Sequence, residues 1–79
     1  MATQQEALTQ WNDLEDKWAE ANKIASEAQL NLDYKLRMHL IDDAAPAPTL
    51  ADQESVDKLW FCEAERRGAM DEFIAEHLG

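Results

Sequence analysis

The sequence predicts an all-α protein, a helical hairpin of two long helices that dimerises into a four-helix arrangement. Three observations carry this. A seam of small and large apolar residues repeats in alternating steps of four and three, Ala7, Trp11, Leu14, Trp18, Ala21, Ala25, Ala28 and Leu32, which is the heptad signature of a helix packed on another helix. Only one stretch, around Pro46 and Pro48, is unable to be helical. With 79 residues and a single cysteine, the chain is in the size range where one core is marginal and where a disulfide, a metal or oligomerisation normally completes it.

The first helix is expected over about residues 3–42. Thr3 and Glu6 stand at capping-box spacing, the hydroxyl accepting from an early amide and the carboxylate reaching back. No glycine or proline follows until Pro46, so the helix runs about 57 Å at ~1.5 Å per residue. Asp13 with Lys17 and Asp33 with Arg37 form i,i+4 pairs in the favourable order. The seam extends through Leu36 and reaches His39, where Lys35 and His39 make it wet or change its partner.

Residues 30–40 also fit a second template. Leu30, Leu32, Tyr34, Leu36, Met38 and Leu40 alternate strictly with polar residues, as in a half-buried strand. A two-fold pair of such strands would resemble the architecture of ribbon-helix-helix dimers. Helix is the preferred reading, because the segment contains no β-branched residue and is rich in Leu, Lys, Arg and Met. On a helix the same residues form two stripes, Leu30, Tyr34, Met38 and Ile41 on one side and Leu32, Leu36 and Leu40 on the other. Two apolar sides imply two packing partners.

The connection falls over residues 43–49, and Thr49 with Asp52 opens the second helix at capping spacing, expected over about residues 50–78. Its broad apolar face contains Val56, Leu59, Trp60, Met70, Phe73, Ile74 and Leu78, interrupted by Glu63 and Arg67 as an i,i+4 pair. Gly68 is a candidate kink or split; one helix is preferred because no residue there caps a restart. The whole chain is read as one helical domain.

Seventeen acidic residues against seven basic ones give a net charge of minus ten, spread as minus four over residues 1–28, minus one over 29–43 and minus five over 44–79. Such a chain is repelled by nucleic acid and anionic membranes and attracted to basic protein surfaces. The ordinary reading, that the charge keeps a small helical protein soluble, stands beside it. Wholesale mimicry of DNA is weakened by arithmetic, since a duplex as long as the first helix carries about 30 charges. A local acidic patch remains, with Asp13, Glu15, Asp16 and Glu20 the densest candidates. The expected location is the cytoplasm, because no basic start with an apolar run and no membrane-length apolar stretch occurs, and a lone cysteine suits a reducing compartment.

Chemistry-bearing patterns are weak. His39, Cys62 and His77 lie too far apart for a metal motif, acidic neighbours one or two apart diverge on a helix, and neither a nucleophile with a nearby base nor a phosphate-cradling loop exists. No enzyme activity, cofactor or metal is expected. Trp11 and Trp18 are assigned to the seam, together with Leu14, Ala21, Ala25, Ala28, Leu32 and Leu36, as dimer or core contacts. Phe61 points away from the second helix's apolar face and is the candidate partner residue. The functional expectation is a non-catalytic interaction module, an inhibitor or regulator that occludes a basic nucleic-acid-handling protein. Phage-encoded inhibitors are similar in size and composition. The alternative is a structural or assembly subunit whose charge serves solubility.

Overall fold

A computed structural model describes residues 3–78. Two helices, α1 (Gln4–Ile41) and α2 (Leu50–Leu78), pack antiparallel into a rod of 61 × 16 × 16 Å, and no strand occurs among the described residues. The strand alternative for residues 30–40 therefore fails; helix-favouring Leu, Lys, Arg and Met prevail over the alternating pattern.

Each end of the hairpin is fixed by the residues that its sequence offers for capping. Thr3 Oγ1 accepts from the Glu6 amide at 3.1 Å, the hydroxyl half of the expected box. At the α2 start both halves form. The Asp52 amide donates to Thr49 Oγ1 at 3.1 Å and the Thr49 amide donates to Asp52 Oδ2 at 3.0 Å. α1 stops at Asp42, whose carboxylate accepts from the Ala44 amide at 3.0 Å and whose carbonyl accepts from the Ala45 amide at 2.9 Å. His39 then ties the turn to the helix, its Nδ1 donating to the Ala45 carbonyl at 2.8 Å.

Gly68 neither splits nor ends α2. It has no positive φ, and a Cβ added there meets nothing within 4 Å. The Asp13 to Lys17 ion pair forms at 3.0 Å, whereas Asp33 is taken by Gln29 Nε2 at 3.1 Å and makes no ion pair with Arg37. A neutral amide one turn earlier thus displaces the expected pairing.

The interface is narrow. Ala25, Leu32 and Val56 are its buried apolar residues, and Trp11, Leu14, Trp18, Ala21 and Ala28 are half-buried along the same line of α1. Leu36 departs from the expected seam and is exposed. Where α1 reaches it, α2 is only starting, and Asp52 offers a carboxylate to Lys35 at 3.6 Å instead of an apolar side chain. Ile74 and Leu78 also lie outside the packed face, beyond Phe73, which closes the open end against Trp11 with ring centroids 5.6 Å apart.

Candidate interaction surfaces

The polar centre of the hairpin is Glu63. Expected to interrupt the α2 face, it is instead one of its most buried residues at 4% exposure, because it lies one heptad after Val56 and one before Met70 and so faces α1. Its Oε1 accepts from Trp18 Nε1 at 2.9 Å, and Arg67 approaches the same oxygen at 3.6 Å. A second cross-helix bond, Trp60 Nε1 to Gln29 Oε1 at 3.1 Å, repeats the device nearer the loop. In both, an indole N–H that would otherwise be buried without a partner finds one on the opposite helix. These bonds fix the sliding register of two helices whose apolar contact is small. They were legible only through heptad position, since Glu63 and Gln29 read by polarity alone as surface residues.

The titration of Asp52 is displaced. The Thr49 amide is the main reason that its carboxyl sits below the ordinary aspartate range; desolvation opposes this, and the nearby Lys35 charge adds to it.

The outward surface divides more informatively. With about 100° per residue, Asp16, Glu20, Lys23, Glu27, Leu30, Tyr34, Met38 and Ile41 all fall on the α1 side opposite the Ala25 contact line. One face is therefore acidic toward the open end and apolar toward the loop. Asp13, Asp16 and Glu20 are exposed and share this side or its edge, while Glu15 lies about 100° round from Asp16 and does not join them. Asp13 is also occupied by Lys17. Phe61 is 65% exposed on the far side of α2. The sequence-predicted partner residues thus lie on separate surfaces.

A groove along one flank, where the helices meet, is lined by Lys17, Glu20, Ala21, Ile24, Leu59, Cys62 and Arg66. It is shallow and open, and the Cys62 thiol at its edge is exposed. Among the described residues no group of three or more His, Cys, Asp or Glu side chains is placed to hold a metal, and no helix is long and apolar enough to cross a membrane.

Comparison with protein-family models, with curated proteins and with solved structures finds no match.

Proposed function

We propose that this chain is a non-catalytic acidic interaction module that works by contact: it associates with itself into a four-helix arrangement and presents its acidic surface to a basic, nucleic-acid-handling protein, which it occludes. The observation that carries the reading is the amount of surface left uncovered. The hairpin exposes 6307 Å², whereas a compact monomer of 9.0 kDa exposes about 4,850 Å². The excess, roughly 1,450 Å² per copy, is more than the roughly 800 Å² that each partner buries in a standard protein interface. It includes large apolar residues such as Leu30, Tyr34, Ile41 and Phe61, which a monomer gains nothing by exposing.

Charge selects the class of external partner. A chain of net charge minus ten, with Asp16, Glu20 and Glu27 on one outer face, favours a basic protein surface over nucleic acid or an anionic membrane. Action as a small cytoplasmic inhibitor, of the kind that phages encode, fits that charge and size. The exposed apolar face also favours a second reading, a subunit that packs into a larger assembly.

Capture of the tagged chain from nuclease-treated host lysate, followed by mass spectrometry, separates the two. A stoichiometric basic partner that is released by salt supports the inhibitor reading. Recovery with the structural proteins of one particle supports the assembly reading and overturns the first.

A further inference from the structure

The α1 face opposite α2 changes character near its middle. Leu30, Tyr34 and Ile41 are 66%, 64% and 74% exposed, and Met38 lies between them. These four residues expose roughly 450 Å² per copy, taking an unfolded-chain area of about 1.45 Å² per dalton scaled by their exposures. Two copies together contribute at most about 900 Å², close to the roughly 1,000 Å² that a specific interface clears.

We propose that this stripe seats a second copy of the chain, the two α1 helices packing antiparallel about a two-fold axis near Leu36. The assignment rests on the self-association proposed above and specifies its geometry. The distribution of charge selects the occupant and the orientation. A parallel pair sets Asp16, Glu20 and Glu27 against their own copies. A fully overlapped antiparallel pair lays Asp16 beside the second copy's Leu30 and Glu27 between its Asp16 and Glu20. A staggered antiparallel pair joined by the loop ends sets apolar against apolar and also keeps those carboxylates apart, with Leu30 opposite the second copy's Ile41 and Tyr34 opposite its Met38. Residues 29–43 carry a net charge of only minus one, so the strongly acidic open ends point away from each other.

The edge of the stripe agrees with this register. Antiparallel two-fold packing brings like flanks together, and Asp33 and Arg37 lie on the same flank. Arg37 has no carboxylate partner within its own chain among the described residues. In the staggered pair it meets the second copy's Asp33, and the symmetry makes that contact twice. The result sets the two α1 helices side by side at the centre of a rod about 95 Å long, compared with 61 Å for one hairpin, with each α2 running outward from the level of the axis.

Light scattering and small-angle X-ray scattering on the full chain test this. The expected result is twice the chain mass and a maximum dimension near the staggered length. Tyr34→Glu should weaken the dimer about tenfold or more while leaving the helical circular dichroism unchanged, and Phe61→Glu should leave the dimer intact. Arg37→Asp should weaken association, and adding Asp33→Arg should restore it. A monomer at all concentrations overturns self-association itself. A dimer that is insensitive to Tyr34→Glu, or one no longer than a single hairpin, overturns the assigned face while leaving self-association standing.

Discussion

Replacing Glu63 with alanine removes the acceptor for the Trp18 indole N–H from a buried position without changing the helix that carries it. Glu63 is 4% exposed and its Oε1 is 2.9 Å from Trp18 Nε1, so the substitution leaves a half-buried donor unpaired, which costs about 1–3 kcal/mol. The ion pair adds little, since Arg67 is largely exposed and 3.6 Å away. A loss of about 2 kcal/mol is expected. A domain of this size has a total stability of roughly 4–12 kcal/mol, and 2 kcal/mol corresponds to about 8–16 °C in Tm. Glu63→Gln keeps a carbonyl acceptor in place and should lose less than half as much. In the double variant Trp18→Phe, Glu63→Leu both polar groups leave together, and it should be more stable than the sum of the single changes implies by about 1–2 kcal/mol. Urea unfolding followed by circular dichroism reads all three. If Glu63→Ala unfolds within about 0.5 kcal/mol of the parent, the cross-helix bond does not hold the register and the reasoning fails.

Other perturbations test the remaining parts of the fold. Gly68→Ala should stabilise the chain by about 0.8–1 kcal/mol, because the glycine is in a continuous helix with open space at its Cβ; a drop in melting temperature would point to a break there. Ala25 is fully buried between the helices, so Ala25→Leu should cost about 1–3 kcal/mol by overpacking in a denaturant titration, and a neutral result would mean that the crossing is loose. Asp52 titrates below the ordinary aspartate range, so its contribution is fully present above that range and is lost as pH falls through its lowered value. Asp52→Asn should accordingly flatten the acid limb of the stability profile below the ordinary aspartate pKa while leaving its slope near neutrality unchanged; an unaltered acid limb would count against the cap.

Much of the hairpin is legible in the sequence because its determinants are local or periodic. The steps of four and three from Ala7 to Leu32 mark one face of α1, Pro46 and Pro48 mark the break, and Thr49 with Asp52 marks the restart. What escapes is set by what happens to lie opposite. Glu63 reads as an interruption until the Trp18 N–H facing it supplies the reason for a buried carboxylate. Leu36 continues the periodicity but meets only the first turn of α2, where Asp52 pairs with Lys35 and Leu50 is itself exposed. The Asp33 to Arg37 spacing is favourable, yet Gln29 competes for the same carboxylate. Of the candidate surface, the two-sided patterning of residues 30–41 was already visible as two stripes, whereas the acidic half of the same face emerges only when Asp16, Glu20 and Glu27 are placed in one frame with it. Glu15, adjacent in sequence, is excluded from that face by the helical turn.

The central claim is that the chain acts by covering a basic surface, and competition tests it most directly. Labelled duplex would be bound to the purified basic partner recovered by capture, and the chain titrated in at low and at high salt. The account predicts stoichiometric displacement of the duplex that weakens as salt rises and is lost when Asp16 and Glu20 are reversed to lysine. A ternary complex of chain, partner and duplex, or displacement indifferent to salt and to those two residues, would contradict it.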